Sequence, residues 1–170
     1  MPTLYLLRHA KSDWGAGVDD HARSLNGRGR RAAVRMGEHL ASLGARPERV
    51  LVSSARRTLE TWEGLASAWP LEVEVVISDR LYLASAGEML AMLGEQPGTP
   101  EAVLVIAHNP GTQDLAVGLA GEGDRDDYDR MRAKYPTAGL CELAFDGAWA
   151  DLAAGRARLV RFDVPKRLPG

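Results

Sequence analysis

The sequence predicts a three-layer α/β/α sandwich: a mainly parallel sheet of about six strands with an antiparallel edge, in a single domain over residues 1–170. Three observations carry this. The chain has 170 residues, 45% of them apolar and 26% charged, which is the size and balance of one folded domain rather than of a long disordered segment. Short, nearly continuous apolar runs alternate with amphipathic helical patterns, the signature of strands covered on both faces and joined by crossover helices. Near the C-terminus, two strand-like runs are joined by a connection too short for a crossover helix, which calls for antiparallel pairing.

The elements follow in order. Leu4 to Leu7 reads as the first strand. Asn26 is placed to cap a helix through Leu43, with Ala33, Met36, Leu40 and Leu43 on one face and Gly44 as its stop. Val50-Leu51-Val52 is the second strand, and Arg57 to Trp69, closed by Pro70, the second helix. Val73 to Ile77 is β-branched but more polar, as an edge strand would be. Ala86 to Leu93 and Thr112 to Leu119 are further helices on either side of a strand from Val103 to Ala107. Gly121 to Tyr135 is charged and without a clear period, so it reads as a solvated excursion with some helix. Gly139 to Phe145 and Arg158 to Val164 form the expected antiparallel pair, and an irregular tail begins at Pro165.

Charge narrows the function. Lys and Arg number 21 against 23 Asp and Glu, a net charge of −2, so no global positive field exists to draw in nucleic acid or anionic membrane. No nucleic-acid or membrane partner is expected. The lone Cys141 excludes an internal disulfide and a cysteine-based metal site, and is read as a small buried thiol. The first apolar run is too short for a signal-peptide core, and a cytoplasmic location is expected.

In open α/β sheets, ligands bind beyond the carboxyl ends of the strands. Three predicted strands run directly into polar residues there: Arg8-His9-Ala10-Lys11-Ser12, Ser53-Ser54-Ala55-Arg56-Arg57 and His108-Asn109-Pro110-Gly111. Two imidazoles, several guanidinium groups and helix N-termini on one edge suit a tetrahedral dianion, because the guanidinium fork matches phosphate oxygens and helix amides add donors. Phosphate is the expected ligand.

These residues resemble the histidine phosphatase (phosphoglycerate mutase-like) superfamily. Its Arg-His signature after the first strand reads here Leu6-Leu7-Arg8-His9-Ala10-Lys11-Ser12-Asp13-Trp14, the form of the SixA phosphohistidine phosphatase branch. The family's Ser-x-x-x-Arg-x-x-x-Thr motif matches Ser53, Arg57 and Thr61, selecting Arg57 over Arg56, and its late histidine matches His108. The stretch Asp19-x-x-x-Arg23-x-Leu25-Asn26-x-x-Gly29 also resembles that branch. The resemblance implies that His9 is a nucleophile phosphorylated in turnover. Arg8, Arg57 and His108 then hold the phosphoryl oxygens, with Lys11 and Ser12 as further binding residues. It implies neither a cofactor nor a metal.

Two departures from the mutase branch bear on substrate. Its asparagine six residues after the nucleophile is Gly15 here, and its Leu-x-Glu acid is replaced by Leu81-Tyr82-Leu83. An alkoxide needs a proton donor to leave, and Glu88, Asp79 and Asp13 are the candidate carboxylates. A phosphohistidine protonated on its other ring nitrogen departs as neutral imidazole, whose conjugate acid has a pKa of about 6.5. A phosphohistidine protein is therefore the expected substrate. A small phosphorylated metabolite, hydrolysed by a phosphomonoesterase, is the alternative enzyme reading, and a noncatalytic phosphoprotein-binding module the alternative of another class. Arg28, Arg30, Arg31 and Arg35 read as a solvated helix face, His21 and His39 have no motif context, and Trp14 is a candidate pocket wall.

Overall fold

The computed structural model describes residues 1–15 and 17–169. Seven strands form one sheet among these residues: β1 (Thr3–Arg8), β2 (Arg49–Ser53), β3 (Glu74–Ser78), β4 (Ala102–Ala107), β5 (Ala120–Gly123), β6 (Leu140–Phe145) and β7 (Ala157–Asp163), in the order β3-β2-β4-β1-β6-β7-β5. β3, β2, β4 and β1 pair in parallel, β6 runs antiparallel to both β1 and β7, and β5 pairs in parallel with β7. The helices are α1 (Gly27–Ser42), α2 (Arg56–Ala68), α3 (Ala86–Gly94), α4 (Gly111–Leu119) and α5 (Arg125–Ala133).

The alternation of side chains divides the core in two. Leu4, Leu6, Val103, Val105, Leu143 and Phe145 point to the face covered by α3, α4 and α5, through residues such as Met89, Leu115 and Met131. Tyr5, Leu7, Val50, Val52, Leu104 and Ile106 point to the other, against Ala33, Met36 and Leu40 of α1 and Leu65 of α2. Each fully buried aliphatic side chain stabilises the sandwich by about 1.5–3 kcal/mol. Asn26 caps α1 as its side chain accepts from the Gly29 amide at 2.9 Å, and the helix ends at Ser42 with Leu43 as its cap and Gly44, at a φ of 70°, as the stop. β3 is an edge strand with Ile77 and Val75 exposed, and Cys141 is fully buried in β6, its thiol pKa pushed well up by burial.

The expectation of about six strands needs one addition. The segment from Gly121 to Tyr135, read as a solvated excursion with some helix, holds the helix α5 and also most of the unexpected strand β5. Its signal was hidden because β5 is four residues long, mostly exposed and carries two glycines, so it lacks the apolar alternation by which strands are recognised. Its place is set by pairing with β7. α5 is polar on most of its surface and buries Met131 alone within its span.

Candidate active site

The order β2-β4-β1 sets three parallel carboxyl ends side by side, and there the polar residues converge on a cavity of about 490 Å³. Arg8, His9, Lys11 and Ser12 enter from the end of β1, Arg57 from the first turn of α2, and His108 and Asn109 from the end of β4. The rings of His9 and His108 lie 5.4 Å apart between centroids, tilted by 54°. Trp14 forms part of the wall with the Arg23 guanidinium stacked 3.9 Å above its ring.

Backbone contacts hold the His9 loop. The His9 amide donates to Ala107 O, and the Ala10 amide donates to Thr61 Oγ1, whose hydroxyl in turn donates to Arg57 O. Thr61 thus ties the β1 loop to α2. Gly29 completes the seat: a Cβ built there would lie 2.0 Å from Lys11 O, so α1 can approach the loop only without a side chain at this position. A single bridge between Ser12 and Leu25 closes the loop on the other side.

The protonation states follow from the bonds. His9 Nδ1 lies 2.7 Å from Ala10 O, and since a carbonyl only accepts, Nδ1 carries the proton and Nε2 keeps its lone pair. Burial lowers the pKa of this ring to about 4, with Arg57, Arg8 and Arg23 acting in the same direction and the bond to Ala10 opposing them. The ring is neutral at neutral pH. His108 Nε2 is 2.7 Å from Ser53 Oγ, which also accepts from the Ala55 amide. With the Ser53 hydroxyl donating to Nε2, the imidazole proton sits on Nδ1; the reverse bond puts it on Nε2, and in both cases Nδ1 is buried and has no partner among the described residues. Burial foremost, and the neighbouring His9 ring, bring the His108 pKa to about 3.

Asp20 organises the cations. Its carboxylate accepts from Arg57 Nη2 at 3.1 Å, Arg23 Nε at 3.0 Å and Tyr82 Oη at 2.5 Å, and its backbone carbonyl accepts from Arg57 Nη1 at 2.7 Å. The Tyr82 hydroxyl foremost, then Arg57 and Arg23, hold its pKa down to about 2. Arg23 reaches on to Ser12 Oγ at 2.9 Å, and Arg8 Nη1 donates to Tyr135 O at 2.9 Å. The Nε atoms of Arg8 and Arg57 are buried without a protein acceptor among the described residues. With His108 Nδ1, they are three buried polar atoms of cavity-lining residues left without a protein partner among the described residues.

The structure brings His9, Arg8, Arg57, His108, Lys11 and Ser12 together and separates Arg57, 2% exposed, from Arg56, which is exposed and pairs with Glu60. The three candidate acids do not line the cavity. Glu88 is engaged in the capping box of α3 with Ser85, Asp79 is exposed at the start of a 3-10 turn, and Asp13 is exposed in the β1 loop. Sequence reasoning missed Asp20, pointing instead to its neighbour Asp19, and missed the bracing of the site by His21, which bonds Ser54 Oγ at 2.9 Å and meets Tyr82 edge-on. The adjacent acidic pair Asp19-Asp20, three and four residues before Arg23, was the available signal. Only the turn geometry selects Asp20. Among the described residues, no group of three or more His, Cys, Asp or Glu side chains is arranged to hold a metal ion, and no helix is long and apolar enough to cross a membrane.

Neutral imidazoles and clustered guanidinium groups at the carboxyl edge of an α/β sheet suit a tetrahedral oxyanion such as a phosphoryl group. The chain matches the histidine phosphatase superfamily (branch 1) over residues 4–135 and belongs to it. That membership supports phosphatase activity. It is 35% identical over 162 residues to the uncharacterised Mycobacterium tuberculosis protein Rv1276c, covering 94% of this chain and all of that one. Among solved structures, it is similar to a protein assigned as phosphohistidine phosphatase SixA from Nakamurella multipartitia, with 31% identity, a TM-score of 0.84 and 96% of each chain covered. A protein with the same assignment from Agrobacterium tumefaciens is 28% identical, with a TM-score of 0.80, covering 96% of this chain and 99% of that one.

Proposed function

We propose that this phosphatase removes the phosphoryl group from phosphohistidine in a protein, through a phosphorylated His9 and without a cofactor. The observation that carries this reading is the state of the cavity's carboxylate. Among the described residues, Asp20 is the one acidic side chain lining the cavity, and with a pKa of about 2 it stays ionised at neutral pH and has no proton to donate. A leaving group here departs without a carboxylic acid to protonate it, which favours a phosphoramidate over an alkyl ester.

His9 Nε2 attacks phosphorus as the P–N bond to the substrate ring breaks. The substrate imidazole, protonated beforehand on its other nitrogen, leaves neutral with that proton. Water then attacks the phosphorus of phospho-His9, the Nε2–P bond breaks, and dihydrogen phosphate departs as the ring returns to its Nδ1–H form. Arg8, Arg57 and His108 act on the charge that spreads over the equatorial oxygens, with Lys11 and Ser12 at the cavity wall.

Rapid acid or alkaline quenching after mixing with a ³²P-phosphohistidine peptide tests this. The expected result is an acid-labile, base-stable label on His9, absent from His9→Ala, with phosphohistidine peptides turned over faster than alkyl phosphates. Label on Ser12, Ser53 or Cys141, or efficient hydrolysis of alkyl phosphates with none of phosphohistidine, overturns it.

A further inference from the structure

Beside the catalytic cavity lies a smaller groove of about 160 Å³, and Lys11 and Thr137 line both. Its polar wall consists of Lys11 from the β1 loop, Arg28 from the first turn of α1, Lys134 at the end of α5 and Lys166 from the turn after β7. Ala32, Pro136, Val164 and Pro165 supply an apolar floor. Four segments distant in sequence thus bring four cations and no acidic residue to one place.

All four cations are exposed, and no acidic side chain of the protein offsets them in the groove. None of the four side chains forms an ion pair among the described residues, although ten other pairs do. Arg28 also stands at the positive end of the α1 dipole, whose first turn holds no acidic residue. The chain as a whole carries a net charge of −2, so the patch does not follow from a basic composition. Read from sequence as part of a solvated face, Arg28 is exposed, and it also lines a concave surface that adjoins the catalytic cavity.

We propose that this groove is a second anion subsite, which receives a carboxylate or phosphate carried by the same molecule whose phosphoryl group sits at His9. The shared lining lets one substrate reach both places, and the groove's volume, roughly five times the ~30 Å³ of a water molecule in the liquid, admits either group. The anion belongs to an acidic side chain flanking the phosphohistidine or to a small doubly anionic phosphate compound. The inference rests on the phosphatase reading of the His9 cavity, not on phosphohistidine being the substrate.

Two matched substrate pairs test it: phosphohistidine peptides with Glu or with Gln flanks, and p-nitrophenyl phosphate against an aryl phosphate bearing a carboxylate. Each is assayed with the wild type and with a Lys134→Gln/Lys166→Gln double variant, whose two lysines are exposed. The expected result is a preference of about tenfold in kcat/KM for the more anionic member of at least one pair, expressed in KM, weakened by salt and reduced toward unity in the variant. A preference confined to the peptides makes the source a protein side chain; one confined to the aryl pair makes it a small molecule. No preference in either pair, or one that the double variant retains, overturns the proposal. If phosphohistidine peptides are not hydrolysed at all, the proposed substrate fails while the aryl pair still decides the groove.

Discussion

Asp20 grips Arg57 twice, with its carboxylate 3.1 Å from Nη2 and its backbone carbonyl 2.7 Å from Nη1, so both terminal nitrogens of the buried guanidinium are oriented by one residue of a surface turn. The same carboxylate bonds Arg23, so one negative charge sets two of the three arginines lining the cavity. It also opposes the entry of an anion.

Asp20→Asn therefore separates binding from turnover. Removing a negative charge from the cavity tightens inorganic phosphate, while loosening the two arginines lowers kcat by about tenfold. Phosphate titration by calorimetry and steady-state kinetics check the two halves; weaker phosphate binding with unchanged kcat contradicts the assignment.

The neighbouring arginines on α2 differ in role. Arg57→Ala lowers kcat/KM by about 10²-fold or more, since it removes a charge-assisted donor from the transferring group. Arg56→Ala, on the exposed side with Glu60, changes it by less than about twofold. Steady-state assays of both variants decide, and equal effects mean that the motif register is wrong.

A Ser53 hydroxyl that donates to Nε2 holds His108 in the Nδ1–H tautomer. Ser53→Ala frees the ring to place its proton on Nε2, removing the Nδ1 donor in part of the population and slowing turnover by about tenfold. ¹⁵N chemical shifts of the His108 ring read the tautomer directly, and an unchanged Nδ1–H form sinks the idea.

Burial of the neutral imidazoles makes stability depend on pH in a definite direction. The folded-state values, about 4 for His9 and about 3 for His108, lie below the ordinary value near 6.5, so the unfolded chain takes up protons first as pH falls. Their contribution is complete above about pH 6.5 and is lost progressively toward pH 4 and pH 3. Asp20, with a pKa of about 2, adds a loss only below the ordinary carboxylate range near pH 4. Urea denaturation at pH 7.5, 6 and 5 is expected to show falling midpoints, and His9→Gln should flatten the trend.

Leu83 lines the cavity at the position where the mutase branch carries its acid. Its φ of 52° is as accessible to Glu as to Leu, and the site is more than half exposed, so Leu83→Glu leaves the fold intact. The variant gains alkyl-phosphate hydrolysis by about tenfold and flattens the dependence of rate on leaving-group pKa. A linear free-energy series of aryl and alkyl phosphates measures the slope, and an unchanged slope refutes a proton-donor deficit.

The sequence by itself determined the α/β sandwich, most element boundaries and the residues that converge on the cavity, because these rest on local patterns: apolar runs, an Asn26 cap, and polar residues directly beyond strand ends. Arg57 was distinguishable from Arg56 through the resemblance to the family's Ser-x-x-x-Arg-x-x-x-Thr motif. Tertiary structure decided the rest. Short, exposed β5 exists through its pairing with β7, which no local pattern encodes. The choice of Asp20 over Asp19 depends on the orientation of a turn against α2, and the withdrawal of Glu88 from the chemistry depends on its bond to the Ser85 backbone. The basic groove joins Lys11, Arg28, Lys134 and Lys166, residues up to 155 positions apart, which only the packing of α1, α5 and the C-terminal turn around one sheet edge makes neighbours.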